Sequence, residues 1–380
     1  MSSQTIVSPE NKNVTFVELF FDLVFVFSVT QVVSLLHDGF EITAIGQAIL
    51  VFWLVWWAWT QYTWALNAAN TTNRWVALGT LIATAVAFFM AIGVPGAFHG
   101  RPLWFALPYV AVRIIGLSLH IWVTWSNPEQ RSAVRSFALV SAGGLIAVVI
   151  GGVVGEGLRH WFWILAIILD ILAAAVGGQA EGWNLHPEHF VERHGLFVII
   201  ALGETLIVAA GVMSGAQMSG DLIAVSILAV AITCGLWWSY FVEIKPVLDS
   251  ALAAISGPGQ TRAARDVFSL MHFPMLCGVI AYAVAIEEVV AHPDHALLLE
   301  GRLALAAGIV LFIIGTAGAF WRATGTILLP RILLTGSAAL ATLIIADVNS
   351  SATLAVVFVA IVAFILLERG RGGTTQLEER

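Results

Sequence analysis

Apolar runs of roughly 20 residues recur along the chain, separated by short stretches that contain charged residues, Gly or Pro. Because the hydrocarbon core of a bilayer needs about 20 apolar residues per helix, these runs predict about twelve transmembrane helices. The predicted spans are 14–36, 43–66, 75–98, 102–125, 133–155, 159–179, 190–214, 220–243, 266–291, 301–321, 326–346 and 350–368. The weakest spans are the eleventh, which contains Pro330 and Arg331, and the twelfth, which follows after a very short turn. The pattern predicts an all-α polytopic membrane protein.

The composition agrees with this class. The 380 residues are 59% hydrophobic and only 11% charged, whereas soluble domains carry about 25% charged residues. An ordinary soluble enzyme and a disordered chain are therefore excluded. The net charge of -7 also excludes a nucleic-acid binder, since phosphate contacts require a basic surface. The expected partner is the lipid bilayer, and neither a cofactor nor a metal site is predicted.

The basic residues predict the orientation. Of the 17 Lys and Arg residues, all but four fall on the N-terminal side of the membrane or in loops that return to it. Arg101, Arg159 and Arg302 lie in the opposite loops, and Arg113 lies within a span. By the positive-inside rule, this distribution predicts a cell-membrane protein with both termini in the cytoplasm. An odd number of spans would destroy the asymmetry.

Two matches between the halves of the chain predict an internal duplication. The tripeptide Phe-Val-Glu opens the first span at 16–18 and the seventh at 190–192, and a Trp-Trp pair occurs at 56–57 and again at 237–238. Six spans per half give two parallel repeats, with a functional cavity expected between them. The predicted organisation is a cytoplasmic N-terminus at 1–13, six-helix repeats at 14–182 and 183–369, and a disordered cytoplasmic tail at 370–380.

The longest interior loop is expected at about 244–265, between the eighth and ninth spans. It contains the sequence Gly257-Pro258-Gly259 and would lie in the cytoplasm, with room for a short surface helix.

Ionisable residues within the spans are the main functional signal, because a charge near the bilayer centre costs at least about 2.5–3.5 kcal/mol. Glu18 and Asp22 are four residues apart in the first span and share one helix face. Two carboxylates so close in a low dielectric require a bound proton or a neighbouring cation. A structural pair that bonds a neighbouring helix is the alternative.

Further polar candidates lie in other spans. Asp170 and Glu204 are mid-span acids, and Arg113 is the one mid-span cation, with Asp170, Asp22 or Glu204 as its natural partners. One Arg for several acids predicts a surplus of protonatable carboxylates around a polar cavity, or else a closed hydrogen-bond network. Glu192 and His194 belong either to this site or to a solvated helix start.

The second span is rich in tryptophan along its whole length, with polar residues close behind. An interfacial belt would confine Trp to the two ends, so some of these rings are expected to face the interior. An aromatic-lined pocket that uses Trp64 and Asn67 is one interpretation, and helix packing is the other.

Several of these segments together resemble the bacterial low temperature requirement protein A (LtrA) family. The matching segments are 18–27, 57–67, 109–113, 169–170 and 190–204. The resemblance implies a multi-pass bacterial membrane protein whose molecular activity is not established. A fainter likeness, carried by Phe20, Asp22, Val24 and Phe25, is to potassium channels with a Phe-Ser-Asp motif in the first helix, although Phe21 replaces the Ser here.

The leading hypothesis is a transporter or channel-like protein that moves a small solute, proton or cation. Its cavity would be lined by Glu18, Asp22, Trp64, Asn67, Arg113, Asp170, Glu192, His194 and Glu204. One alternative is an intramembrane enzyme that acts on a lipid or prenyl substrate through a general acid. Another is a structural membrane component that transports nothing. Enzyme activity stays open and is not favoured, and an oligomer such as a dimer is compatible with the sequence.

Overall fold

A computed structural model describes residues 5–9, 12–36, 41–177, 183, 185–215 and 217–378, with side chains described as far as residue 369. Within these residues the chain forms twelve helices. They are α1 (Phe16–Ser34), α2 (Ile42–Ala68), α3 (Arg74–Gly93), α4 (Pro102–Val123), α5 (Pro128–Val153), α6 (Glu156–Gly177), α7 (Pro187–Met213), α8 (Gly220–Ala253), α9 (Gly257–Ala291), α10 (Leu299–Thr324), α11 (Leu329–Ile344) and α12 (Ser350–Glu378).

The helices confirm the predicted fold class. Eleven of the helices in the described part of the chain are long and apolar enough to cross a membrane. The other, α11, has 16 residues, which corresponds to about 24 Å at 1.5 Å per residue. Sequence patterns also explain individual helix starts: Asn73 caps α3 and Asn127 caps α5 through their side-chain oxygens.

The segment 244–265, expected to be a long loop with room for a short helix, is mostly helical. Helix occupies Lys245–Ala253 and Gly257–Ala264, so only residues 254–256 join α8 to α9. The helix persists because Leu248 and Leu252 bury one face, at 1% and 3% exposure. The sharp turn is made at Gly257, whose φ of 62° favours glycine. Each helix also contains one π-helical segment, Ser239–Ile244 in α8 and Arg265–Leu270 in α9.

The chain divides into two compact units. The first comprises Met1–Phe197 and Leu252–Ser269, and the second comprises Val198–Ala251 and Leu270–Arg380. These units do not coincide with the proposed repeats at 14–182 and 183–369, and the duplication stays a prediction. Likewise, α12 is helical as far as Glu378, within the segment expected to be a tail.

In the first unit, α2 is the most deeply buried element. It packs against α1, α4 and α6, and its Trp56, Trp59 and Tyr62 are fully buried. This placement explains the tryptophan content of the second span, because these rings fill the interior of the unit rather than the membrane interface.

In the second unit, α9 and α10 approach closely along a glycine seam. A methyl group added at Gly278 would lie 2.6 Å from the carbonyl oxygen of Gly308. A methyl group at Gly315 would lie 2.6 Å from the backbone nitrogen of Met275. Small residues allow such backbone contact between membrane helices.

The N-terminal segment is tied to the loop after α2. Val7 forms an isolated antiparallel bridge with Ala69, and the backbone amide of Ser8 donates to the Ala68 carbonyl at 2.9 Å. This pairing brings Lys12 and the start of α1 to the C-terminal end of α2.

Candidate functional site

Glu18 is the centre of a buried cluster, which we call the Glu18 cluster: Lys12, Thr15, Glu18, Thr71 and His189. The Glu18 Oε2 atom accepts hydrogen bonds from the Thr15 amide at 3.0 Å, the Thr15 hydroxyl at 2.8 Å and the Thr71 hydroxyl at 3.2 Å. The Oε1 atom accepts from His189 Nε2 at 2.9 Å and lies 3.6 Å from Lys12 Nζ. The carboxylate is fully buried. The donors to both of its oxygens oppose the effect of burial and favour the ionised form.

Lys12 connects this cluster to the end of α2. Its ammonium group donates to the Leu66 carbonyl, and to the Ala69 carbonyl at 2.7 Å. A cation is favourable at this position because the last carbonyls of a helix carry partial negative charge. Burial lowers the pKa of Lys12 to about 8, against the opposing effect of Glu18.

The tautomer of His189 follows from Asn67. The backbone amide of His186 donates to Asn67 Oδ1 at 2.9 Å, which fixes the orientation of the Asn67 amide. Asn67 Nδ2 then donates to the His186 carbonyl at 2.9 Å and to His189 Nδ1 at 3.1 Å. Because Nδ1 is an acceptor, the single proton lies on Nε2 and is donated to Glu18. His189 is therefore held in its neutral form.

Asp22 pairs with Arg193, one helical turn further along both helices. Asp22 Oδ1 accepts from Arg193 Nη2, and from Trp59 Nε1 at 2.7 Å. The guanidinium carbon lies 5.6 Å from the centroid of the Trp59 ring. All three side chains are fully buried. Asp22 Oδ2 and Arg193 Nε have no hydrogen-bond partner.

A second buried ion pair joins α4 to α6. Arg113 binds both oxygens of Asp170, at 3.1 Å from Nη1 and 2.8 Å from Nη2. Arg113 Nη1 also donates to Tyr109 Oη at 2.6 Å, and Nε donates to Gln61 Oε1. Gln61 returns a bond from Nε2 to the Arg113 carbonyl at 3.0 Å. Gly116 permits this approach, since a methyl group there would lie 2.7 Å from Gln61 Nε2.

A small cavity lies in the first unit beside this second pair, and we call it the tryptophan cavity. Gln61 is part of its wall. Other wall residues include Trp57, Thr60, Trp64, His120, Trp183 and Arg265. The space open to water centres is 40 Å³, which corresponds to about three water molecules. The cavity therefore combines aromatic surface with a few polar groups, as small-molecule sites do.

Comparison with known proteins identifies the family. The sequence model of the bacterial low temperature requirement A protein (LtrA) matches residues 13–366. The chain belongs to the LtrA family. An uncharacterized protein of Rhizobium meliloti (strain 1021), RA0937, is 30% identical over 315 residues, which cover 80% of this chain and 76% of that protein. No solved structure matches.

This LtrA protein brings part of the sequence-predicted site together. Glu18, Asp22 and Asn67 belong to one connected network with His189 and Arg193. Among the predicted partners of Arg113, Asp170 is the one that binds it. The predicted surplus of unpaired acids is wrong for the first unit, because Glu18, Asp22 and Asp170 each have a cation within 4.0 Å.

The remaining predicted residues lie elsewhere. Trp64 lines the tryptophan cavity. His194 is buried and stacks edge-on against Trp59, with 5.0 Å between the ring centroids. Glu192 is exposed, and Glu204 is a half-buried residue of the second unit. In the described part of the LtrA chain, no group of three His, Cys, Asp or Glu side chains could hold a metal ion.

Sequence reasoning missed His189, Arg193 and Lys12. The available signal was a second pair at i,i+4 spacing: His189 and Arg193 match the spacing of Glu18 and Asp22. The two pairs lie on facing helices and form two successive contacts, His189 with Glu18 and Arg193 with Asp22.

Proposed function

We propose that this LtrA protein is a transporter or channel-like protein for a small solute or ion. It would reside in the cell membrane with both termini in the cytoplasm. The observation that carries the proposal is that the tryptophan cavity and the buried Arg113–Asp170 pair share one residue, Gln61.

This shared residue supplies a means of coupling. Gln61 holds Arg113 by two hydrogen bonds, one to its side chain and one from Gln61 Nε2 to its carbonyl. A solute that rotates the Gln61 amide would break one or both of these hydrogen bonds to Arg113. Because the pair is fully buried, a lost partner has a large electrostatic effect. Occupancy of the cavity would therefore change the free energy of the charged state of Asp170.

The Glu18 cluster supports a different role in the same protein. Glu18 and Asp22 do not belong to the wall of the tryptophan cavity. Glu18 is saturated by donors, so we assign it to holding the N-terminal segment, α1 and α7 together. Asp22 keeps one oxygen without a hydrogen bond beside the under-bonded Arg193, which leaves this pair able to accept a new partner during transport.

An intramembrane enzyme is less well supported. The second unit has an apolar groove of about 470 Å³ between α10 and α11, large enough for part of a lipid chain. Thr335 and Trp321 are the polar side chains of its described wall, and the other described wall residues are apolar. None of the described wall residues is a carboxylic acid. General-acid chemistry requires such a group within hydrogen-bond reach.

Flux through proteoliposomes tests the proposal. Vesicles that contain the purified protein and a pH-sensitive dye would be exposed to gradients of potassium, sodium, small organic anions and small organic cations. We expect at least one gradient to drive a protein-dependent flux or pH change. Asp170→Asn should abolish it, because Arg113 then loses its charged partner.

The controls separate function from folding. Asp170→Glu keeps the charge and should retain part of the flux, and Glu300→Gln removes an exposed acid and should leave the flux unchanged. Size-exclusion chromatography and the melting temperature report on folding. The absence of flux under every gradient, or full flux in a folded Asp170→Asn protein, would reject the proposal.

A further inference from the structure

We infer that the tryptophan cavity binds a short-chain monocarboxylate, with the carboxylate at Arg265 and the chain against the tryptophan rings. This inference rests on the proposed function for its physiological meaning, because the bound molecule would be the transported solute. The binding itself can be measured without transport.

The described wall of the cavity offers hydrogen-bond donors to a ligand. Among the wall residues that the structure describes, Arg265 supplies the guanidinium, and none is Asp or Glu. The Thr60 hydroxyl is a second donor: the residue is 3% exposed, and its oxygen has no hydrogen-bond partner. A guanidinium and a free hydroxyl are both donors that a carboxylate can accept from, so the described wall favours an anion over a cation.

Arg265 retains a donor that could serve a ligand. Its Nε and Nη2 atoms bind the neighbouring Asp266, at 2.8 Å and 2.7 Å. Its Nη1 atom is 3.5 Å from the Ala174 carbonyl, at the outer limit of a hydrogen bond. A carboxylate in the cavity could therefore accept a stronger bond from Nη1.

The π-helical segment Arg265–Leu270 places Arg265 and Ser269 together on the wall. Trp56 Nε1 donates to the Ser269 carbonyl at 2.7 Å, and Trp64 Nε1 donates to the Ser269 hydroxyl at 3.3 Å. Because the hydroxyl oxygen already accepts a bond, its own proton can be directed to a ligand. Single π turns within helices are frequent at functional sites, and this segment supplies two of the ligand-facing groups.

The remaining surface sets the size and polarity of the ligand. Trp57, Trp64 and Trp183 provide aromatic walls, which suit an apolar chain rather than a second charge. The 40 Å³ open to water centres corresponds to about three water molecules. Propionate has the required charge at one end and a short apolar chain at the other.

Equilibrium binding to protein in nanodiscs tests the inference. Radiolabelled propionate would be measured at pH 7 by scintillation proximity, in competition with unlabelled propionate, propylammonium and 1-propanol. We expect saturable binding that unlabelled propionate displaces and propylammonium does not. Arg265→Gln and Thr60→Val should each weaken binding, by about tenfold or more for Arg265→Gln.

Matched variants distinguish a binding role from a structural one. Arg262→Gln removes an exposed arginine of the same helix and should leave propionate binding unchanged, while Thr60→Ser should restore the binding lost in Thr60→Val. Absence of saturable binding, equal displacement by propylammonium, or unchanged binding in Arg265→Gln would overturn the inference. Propionate binding without any flux would support this inference and count against transport. Flux without propionate binding would support transport and overturn this inference.

Discussion

The buried acids Glu18, Asp22 and Asp170 of the first unit each lie beside a basic side chain. Arg113 and Asp170 form a bidentate pair, and Arg193 holds Asp22. A buried ion is tolerated when the opposite charge and the remaining hydrogen-bonding atoms are close by. Removing one partner of such a pair leaves an uncompensated buried charge, which destabilises the fold and constrains any mechanism that needs a charge to move.

Lys12 makes the stability of the first unit dependent on pH. Burial lowers the pKa of Lys12 from its ordinary value of 10.5 to about 8. Between these values the unfolded chain binds more protons than the folded one, so the contribution of Lys12 to stability rises with pH through this window. We expect a rise of about 1 kcal/mol per pH unit.

Thermal unfolding in detergent between pH 7 and pH 10.5 measures this effect. The melting temperature of the wild type relative to that of Lys12→Met should increase with pH above about pH 8. Lys12→Arg keeps a cation that does not titrate in this range, and it separates proton release from loss of the ion pair. A difference that stays constant or falls with pH would contradict the prediction.

The sequence could reveal the Arg113–Asp170 pair, and it could reveal Glu18 and Asp22 but not their partners. Glu18 and Asp22 stand out because apolar residues surround them. Arg193 does not, because a charged residue near a helix start is compatible with solvation as well as with burial. Its burial depends on which helix face meets α1, and this is decided by tertiary packing, which spacing within one helix does not determine.

At the scale of the elements, helix existence was predictable and some helix ends were not. The span predicted at 43–66 is α2, Ile42–Ala68. A long apolar run forms a helix in a bilayer because the helix satisfies all of its backbone hydrogen bonds internally. The segment at 244–265 is mostly helical, although its Gly257-Pro258-Gly259 sequence favours a loop. One apolar face, with Leu248 and Leu252, was enough to keep it helical.

The glycine seam between α9 and α10 predicts a sharp sensitivity to side-chain size. A methyl group at Gly308 would lie 2.7 Å from the backbone nitrogen of Tyr282. Since backbone atoms do not yield as a flexible side chain does, Gly308→Ala should destabilise the second unit by about 1–3 kcal/mol.

Gly211→Ala is the matched control for this substitution. Nothing lies within 4 Å of a methyl group added at Gly211, so helix propensity alone should leave stability unchanged or raise it by up to about 1 kcal/mol. In the same detergent, the melting temperature of Gly308→Ala should be lower than that of Gly211→Ala. Equal melting temperatures would show that the seam accommodates a methyl group.

At the scale of the whole molecule, the number of crossings depends on the short helix α11. Near its start, Arg331 Nη2 binds Glu368 of α12 at 2.6 Å. At its other end, the Leu343 carbonyl accepts from Arg302, near the start of α10, at 2.9 Å. The helix therefore runs antiparallel to α10 and reaches the level at which α10 begins. This supports an even number of crossings.

An even number, combined with the asymmetric basic residues, predicts which loops face the cytoplasm. After replacement of Cys234 and Cys277, single cysteines would be tested with a membrane-impermeant maleimide on intact cells. His99→Cys and Asp294→Cys should react in intact cells, whereas Glu129→Cys should react only after lysis. These three positions are exposed in loops or at a helix start, so a lack of reaction from outside reports the membrane barrier.

A cysteine at Thr374 tests the same argument at the C-terminus. If α11 crosses the membrane, Thr374→Cys should be protected in intact cells and react after lysis. Reaction from outside would mean that α11 does not cross, because α12 would then end on the opposite side. The positive-inside rule and the contacts of α11 are independent arguments, one from charge and one from packing. A protected C-terminus satisfies both, and it places Arg331 and Glu368 on the cytoplasmic side.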